Sequence, residues 1–567
     1  MRRMTWCGFA GLGLRIRLSH PLPGIWLANF VVECGIQMRS FQKRSEQILR
    51  MNFSIKALFV VLMTLSGAVL ALINAPIKSI WPSVVALSIV LVTRRAIIGL
   101  LAGAVSGALI LTGGNWWFAF LSLFSDHFIP HFKSSWKMGA LAFTLLMGGF
   151  AAVLEKSGGF ERIFEWLFKK VKDPSKSLQT GVMGLGLACF FDGLANSMLV
   201  GRVSRKLGAS CGVSKEKLAY LVDSTSSAVA CLAFVSTWIA YQLSMIREGF
   251  SVVGQEVNPY VYFVRSIPFN FYCWFTLVLC FISVFGNFNP GGMQIAEASA
   301  RNNLKAKSDR SIDKSILQVG SYSSVVVPLI VLLVGMVVAF YLVGLGEAIE
   351  AGVYKSLLPI TGEKVSVAFG TSKGPYIMCL VGIIASIVAI ILYPHKKSGE
   401  NAIMTYTDGA RSMLMPLLIL VSAWMLSSTL AALKAGDSIA GLMDGSVPLW
   451  SIPALVFLVG ALISFTMGSS WGTMGILMPL AIPLIAKYPN LLNVSGVETI
   501  YAATVAAVFS GAVFGDHCSP ISDTTIVSSI ACGIDPHDHV RTQMPFALIA
   551  AVAAFVGFLV AGWSIVS

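Results

Sequence analysis

Long apolar runs separated by short polar loops follow one another along most of the chain. They lie at 55–73, 79–92, 96–113, 138–154, 178–200, 218–243, 268–286, 318–345, 374–393, 412–433, 452–486, 500–531 and 543–566. Most are close to the roughly 20 residues with which a helix crosses the hydrocarbon core of a bilayer. The alternating pattern typical of membrane strands is absent from the sequence. The pattern therefore predicts an all-α polytopic membrane protein.

Two of these runs do not fit a simple crossing. Basic loops flank 178–200 on both sides, although Lys and Arg collect in cytoplasmic loops. Glycines interrupt this run, and Asp192 and Asn196 lie at its expected tip. The run 452–486 is too long for one span and is broken at Gly468-Ser469-Ser470-Trp471-Gly472. We interpret both as re-entrant hairpins that enter from opposite faces, which requires a polar cavity around their tips.

This interpretation sets the topology. Beside the two hairpins, about 11 transmembrane helices remain, and every basic cluster then lies in the cytoplasm. The amino terminus is expected to be cytoplasmic and the carboxyl terminus periplasmic. We expect an N-terminal segment, a first transmembrane half, a cytoplasmic linker and a second transmembrane half, at 1–54, 55–286, 287–317 and 318–567.

The N-terminal segment differs from the remainder, because residues 1–50 contain no full-length apolar run. Met51 opens a short segment that leads directly into the first run. We interpret residues 1–50 as a disordered tail or as an artefact of the assigned start site. The first run also resembles a signal peptide, but the short loop after it favours an uncleaved span.

The two halves are predicted to be diverged copies of one repeat. Three landmarks pair Leu154 with Leu433, Asp192 with Ser470 and Arg265 with Arg541, at offsets of 433 − 154 = 279, 470 − 192 = 278 and 541 − 265 = 276. The charge distribution puts the two copies on opposite faces, so the predicted repeat is inverted. Inverted-topology repeats with discontinuous helices at their interface are the common plan of secondary transporters.

Composition agrees with lipid as the main solvent. The chain is 56% hydrophobic and only 12% charged, whereas soluble proteins carry about 25% charged residues. The net charge of +14 is spread over several loops, which fits a membrane topology and gives no support to a nucleic-acid partner. The 10 cysteines form no CxxC pair, and we interpret them as small packing residues.

Four aspartates lie within apolar runs, where ionisable residues are costly and usually functional. They are Asp192, Asp223, Asp516 and Asp523, and the oxygen-bearing residues near them include Asn196, Ser224, Thr225, Ser469, Ser470, Ser519 and Thr524. Such oxygen ligands suit a hard cation such as Na⁺. Pro520 is expected to break the helix beside Asp516, and the hydroxyls after Asp223 are expected to compete with helical hydrogen bonds there. The alternative is that these carboxylates only cap or join helices.

Buried carboxylates would also couple the two ions. Burial favours the protonated aspartate and a bound cation favours the charged form, so Na⁺ and H⁺ would compete for one group. His517 would either tune proton binding at Asp516 or act as a hydrogen-bond partner. We expect His517 to be the only histidine embedded in a span.

Several segments together resemble the NhaC family of Na⁺/H⁺ antiporters, within the ion-transporter superfamily. They are GDHCSPISDTT at 515–525, FFDGLANSMLVGR at 190–202, KLAYLVDSTSSAVACLAFVSTWIAY at 217–241 and GSSWGTMGILMPLA at 468–481. The resemblance covers roughly 55–566. It implies a scaffold with a moving transport domain, often a dimer, in the bacterial inner membrane, with Na⁺ and H⁺ as transported ions and no cofactor. It carries ion-site roles onto Asp192, Asn196, Asp223, Ser224, Thr225, Ser469, Ser470, Asp516, Ser519, Asp523 and Thr524.

One departure and several alternatives remain. Gly193 stands where family members often have a second carboxylate, which puts the number of exchanged protons and the substrate in doubt. The same fold could carry an organic acid or an amino acid, coupled to Na⁺ or H⁺. The absence of Arg or Lys deep in either hairpin favours the ion exchanger. Further alternatives are an intramembrane hydrolase that uses a serine with His517, and a gated channel.

Overall fold

The computed structural model describes residues 53–73, 76–160, 162–163, 173–306, 320–369, 371, 373–394, 401–435, 447–488, 491, 496–520 and 522–567. Over these ranges it is helical and has no β-strand. The helices of the first half are α1 Phe53–Ala71, α2 Trp81–Thr93, α3 Ala96–Leu111, α4 Trp116–Ser125, α5 Ile129–Lys133, α6 Ser135–Lys156, α7 Pro174–Ala188, α8 Gly193–Cys211, α9 Lys215–Leu232, α10 Ile239–Ser251, α11 Pro259–Ser266 and α12 Phe271–Phe285.

The remaining helices begin with α13, Gly292–Ala306, in the segment predicted as a linker. They continue with α14 Ser323–Glu350, α15 Gly362–Ala368, α16 Gly374–Ile391, α17 Ala402–Ser412, α18 Leu414–Ala432, α19 Ile452–Met467, α20 Ser470–Ala486, α21 Val497–Cys518, α22 Asp523–Cys532 and α23 Pro536–Val566. Ser54–Ser567 forms one compact unit. The predicted N-terminal segment 1–54 lies, except for its last two residues, outside the described residues.

The all-α membrane fold is confirmed. Among the described helices, 7 are long and apolar enough to cross a membrane, or up to 9 if each sharply bent pair counts as one span. The predicted number of about 11 spans stays a prediction. Helix α10, with 13 residues, is too short for this criterion, and α9, with 18 residues, carries too many charged side chains for it.

Both predicted hairpin tips are breaks between two helices that fold back on each other. At the first tip, Asn196 Nδ2 on α8 donates to the Gly186 carbonyl on α7, at 2.8 Å. At the second tip, Gly468 has a φ of 67°, a left-handed conformation that costs glycine little. A Cβ on Gly460 of α19 would lie 3.0 Å from the Leu477 side chain of α20.

Helix starts recur at a constant spacing in the two halves. Asp192 caps α8 by accepting from the Ala195 amide, and Ser469 caps α20 by accepting from the Gly472 amide; here 469 − 192 = 277. Asn258 and Asp535 cap α11 and α23 in the same way, and each is followed by proline; here 535 − 258 = 277. Caps of this kind satisfy the first free amides of a helix, and their constant spacing agrees with the predicted repeat.

Two helices are broken, but not both where the sequence predicted. The expected break beside Asp516 is present, since α21 ends at Cys518 and α22 begins at Asp523. The expected break at Asp223 is wrong, because α9 runs on to Leu232 and the gap follows at 233–238. Two of its hydroxyls bond back to their own helix, with Thr225 Oγ1 donating to the Leu221 carbonyl at 2.7 Å and Ser226 Oγ donating to the Asp223 carbonyl at 2.8 Å. They therefore do not unwind it.

Candidate functional site

The fully buried Asp223 on α9 is held from α23. Its Oδ2 accepts from Gln543 Nε2 at 2.8 Å and contacts His539 Nε2 at 3.2 Å. Gln543 Nε2 also donates to the His517 carbonyl at 2.8 Å, which ties α9, α21 and α23 together. Asp223 Oδ1 has no hydrogen-bond partner among the described residues, so one side of this carboxylate is fixed and the other is free.

Sequence reasoning missed His539 and Gln543. The last apolar run was expected to start at 543, but α23 begins at Pro536 and places His539 in its first turn, fully buried. The expectation that His517 is the only embedded histidine is therefore wrong. A signal was available, because Asp535 followed by Pro536 is a typical helix start.

Asp516 lies in the last turn of α21 and is fully buried. Its Oδ1 accepts from Ser522 Oγ at 3.3 Å, and its main-chain carbonyl accepts from the Thr525 hydroxyl. Ser470, near the tip of the second hairpin, lies close to the carboxylate. Oδ2 lacks a partner within the described ranges. The arrangement leaves a carboxylate oxygen free at the junction of a broken helix and a hairpin tip.

Asp523 opens α22 directly after the gap. Its side chain is exposed at the surface of the described protein. Its Oδ1 accepts from the Thr524 amide at 2.9 Å. The charges of Asp223 and Asp523 both act on Asp516, and the charge of Asp192 acts on Asp523, so the four predicted aspartates lie in one region.

Asp192 has a different environment. Its Oδ1 accepts from the Ala195 amide at 2.6 Å and its Oδ2 from Thr237 Oγ1 at 2.8 Å. Thr237 lies in the gap 233–238, so this carboxylate fastens the first hairpin tip to the first broken helix. With both oxygens used, Asp192 fits the alternative stated above, in which a carboxylate caps and joins helices.

Ser469 and Ser470, the two serines of the second hairpin tip, have different roles. Ser469 is used as a cap, accepting from the Gly472 amide at 3.2 Å, whereas Ser470 is buried and faces Asp516. The tip sequence 468–472 has the Gly-x-Ser-x-Gly spacing known from hydrolases. No histidine in the described part of the chain hydrogen-bonds Ser470 in this structure.

Free buried oxygens mark where a cation could be held. Five of the predicted site residues have a buried side-chain oxygen with no partner among the described residues, namely Asn196, Asp223, Ser224, Asp516 and Ser519. Unsatisfied buried polar atoms are rare because they are costly, and carboxylate, amide and hydroxyl oxygens suit Na⁺. No group of three His, Cys, Asp or Glu side chains within the described ranges could hold a metal ion, so any cation would rely on this mixed set of oxygens.

Comparison with known proteins shows that the chain matches the model of one protein family. The model of the Na⁺/H⁺ antiporter family matches residues 229–563. An uncharacterized protein of Haemophilus influenzae is 29% identical and covers 87% of this chain and 92% of its own. The Na⁺/H⁺ antiporter NhaC of Alkalihalophilus pseudofirmus is 30% identical over 34% of this chain and 38% of its own.

Two further proteins are similar. The malate-2H⁺/Na⁺-lactate antiporter of Bacillus subtilis is 34% identical over 32% of this chain and 36% of its own. The solved YdaH transporter of Alcanivorax borkumensis aligns with a TM-score of 0.50 at 16% identity, over 78% of this chain and 88% of that one. This last likeness concerns the fold alone.

Proposed function

The chain belongs to the Na⁺/H⁺ antiporter family, and on this premise we propose that it exchanges Na⁺ for H⁺ across the bacterial inner membrane by alternating access. The observation that carries the proposal is the free carboxylate oxygen on each of Asp223 and Asp516. Both carboxylates are buried beside a broken helix, where Na⁺ or H⁺ can neutralise them.

The Na⁺ site is proposed at the second break. Asp516 Oδ2 and Ser519 Oγ are its central ligands, because both are buried and unpartnered within the described residues. Ser470 supports them from the hairpin, and Thr524 closes the set through its contact with Ser522, at 3.1 Å. Asp523 is exposed whereas Asp223 and Asp516 are buried, which makes Asp523 the first carboxylate that an arriving cation meets.

Competition between Na⁺ and H⁺ for these carboxylates explains how the two ions are exchanged. A bare, buried carboxylate is costly, so the site is occupied by either Na⁺ or H⁺ when the protein changes its open side. Each ion stabilises the same occluded state, and neither can bind where the other resides. The expected result is coupled movement of the two ions in opposite directions.

A second candidate is an exchanger of a carboxylic acid. The similarity to a malate and lactate antiporter favours it, as do the free hydroxyls of Ser224 and Ser519. Against it, neither hairpin tip carries an Arg or Lys that could bind a carboxylate. The aspartates of this region would also repel an anion.

Purified protein in liposomes distinguishes the two. With a pH dye inside, added Na⁺ should change the internal pH, and K⁺ at equal concentration should not. Absence of a response to Na⁺, together with uptake of labelled malate or lactate, would replace the ion exchanger with the acid carrier.

A further inference from the structure

A buried ion pair that the proposed exchange does not use joins α6 to α10. Lys137 Nζ on α6 lies 2.5 Å from Glu248 Oε1 on α10, and their side chains are 13% and 4% exposed. Beside the pair, the Arg247 guanidinium of α10 lies 5.3 Å from the centre of the Trp136 ring of α6. Burial costs both charges their water, so such a pair is favourable only while the two partners stay in contact.

Polar and aromatic side chains from two further helices surround the pair. The Lys137 ammonium contacts His131 Nδ1 of α5 at 2.9 Å and lies 5.1 Å from the centre of the Trp424 ring of α18. Trp424 Nε1 in turn donates to Ser244 Oγ of α10 at 2.6 Å. The ion pair is therefore the centre of a side-chain cluster to which α5, α6, α10 and α18 contribute.

Helices α6 and α10 pack mainly against different neighbours. Helix α6 packs on α16 and α17, and a Cβ on its Gly139 would lie 2.3 Å from Pro375 of α16. Helix α10 packs on α20 of the second hairpin, where a Cβ on Gly249 would lie 3.0 Å from the Met478 carbonyl oxygen. Contacts between the ends of side chains, such as those that join α6 to α10, can part more easily than these close backbone contacts.

The ion pair lies at the end of the broken helix that is farther from α13. Helix α9 begins beside α13, where Glu297 Oε1 accepts from the Ser214 amide at 2.8 Å. Helix α10 follows after the gap 233–238 and carries Glu248 near its end. The pair and α13 therefore mark opposite ends of the helix that carries Asp223.

An aromatic cluster covers the gap on the side of the ion pair. Phe234 of the gap contacts Phe369, with ring centres 5.4 Å apart, and Phe369 stacks on Phe340 of α14 at 5.0 Å. A Cβ on Gly374 would lie 3.4 Å from the rings of both Phe340 and Trp136. The aromatic cluster and the ion pair are thus adjacent, and together they join the broken helix to α6 and α14.

We propose that the Lys137–Glu248 pair is a latch, which holds this side of the carrier closed and parts in every transport cycle. The inference rests on the proposed function, in which the carrier opens to each side in turn. A buried pair suits this task, because it specifies one closed geometry and both charges regain water when the side opens. While the latch is closed, Na⁺ reaches its site from the α13 side.

The test compares the affinity for Na⁺ at the two membrane faces. Uptake of ²²Na⁺ is measured in right-side-out and inside-out vesicles loaded with unlabelled Na⁺ at equal pH. Glu248→Gln keeps the size of the side chain and removes its charge, so the latch opens more often. The Na⁺ concentration for half-maximal uptake should fall about fivefold or more at the face of the ion pair, because the apparent affinity follows the fraction of carriers open to that face. At the α13 face it should stay the same or rise.

Lys137→Gln should change the two faces in the same way. The double variant should shift the half-maximal concentration no further than either single variant, because both substitutions act on one contact. It leaves neither charge of the pair in place, so it also decides the question if a single variant fails to fold. Glu498→Gln is the matched control, because the ion pair of Glu498 with Arg265 spans 3.0 Å but is exposed; it should shift neither face.

An unchanged half-maximal concentration at both faces in the variants of Lys137 and Glu248, or an equal change at both faces, would overturn the latch. An ion pair that only stabilises the fold would lower the amount of active protein without favouring one face. A wild-type protein that takes up no ²²Na⁺ in either kind of vesicle would instead overturn the proposed exchange, and this inference with it.

Discussion

Asp223 and Asp516 share one arrangement, in which one carboxylate oxygen is hydrogen-bonded and the other is free. The bonded oxygen fixes the orientation of the group, so little conformational entropy is lost when a cation binds the second oxygen. Asp192 lacks this arrangement because both of its oxygens accept hydrogen bonds. On this contrast we propose that Asp223 and Asp516 bind the transported cation and that Asp192 holds the backbone.

Asp523→Asn should abolish Na⁺/H⁺ exchange without loss of protein from the membrane. The amide keeps the shape and can still accept from the Thr524 amide, but it carries no charge to attract Na⁺. Exchange is measured with the pH dye and protein amount by immunoblot of membranes. Wild-type exchange by the variant would remove Asp523 from the site.

For Asp192, the quantity that a substitution should change is stability rather than ion exchange. Asp192→Asn should keep most of the thermal stability, because asparagine caps helices about as well as aspartate. Asp192→Ala should lose about 1 kcal/mol of stability, measured as a lower midpoint of unfolding in detergent. Equal stability of the two variants would contradict the capping role.

Helix α21 lies in close contact with the second hairpin where it carries Gly515. A Cβ there would overlap both the side chain and the backbone of Ser464 on α19. Ser464 Oγ also donates to the Ala512 carbonyl at 2.6 Å, which closes the contact. The position of the hairpin tip relative to Asp516 thus depends on the absence of a side chain at Gly515, the residue before Asp516.

Gly515→Ala should therefore push α19 and α21 apart, at a cost of about 1–3 kcal/mol, and reduce exchange. Gly346→Ala on α14 is the control, because no atom lies within 4 Å of the added Cβ; it should be neutral or stabilising by up to about 1 kcal/mol. Thermal unfolding and liposome exchange are both measured. An unperturbed Gly515→Ala variant would contradict the close approach.

Local signals made part of this arrangement predictable. Interrupting glycines and basic residues on both flanks marked the first hairpin, and Pro520 marked the break after Asp516. The course of α9 was not predictable in the same way, since whether Thr225 competes with or completes its helix depends on what surrounds it. The clamp on Asp223 joins residues 316 and 320 positions apart, and the sequence pattern contains no information on that pairing.

At the level of the entire protein, bound sodium should stabilise the folded state. Na⁺ that binds only the folded state raises stability, by about 2.7 kcal/mol at 100 times its Kd. We expect Na⁺ to raise the unfolding midpoint of the purified protein above that in K⁺ at equal ionic strength. Asp516→Asn should lose this increase. An equal shift with K⁺ would contradict a selective site.

The two helix caps that correspond in the repeat are a carboxylate at Asp192 and a hydroxyl at Ser469. When such a carrier rocks between its two states, each copy adopts the shape that the other has just left. Identical copies would make these states equal in energy, but unlike caps make them unequal. We therefore expect the carrier to have a preferred resting side.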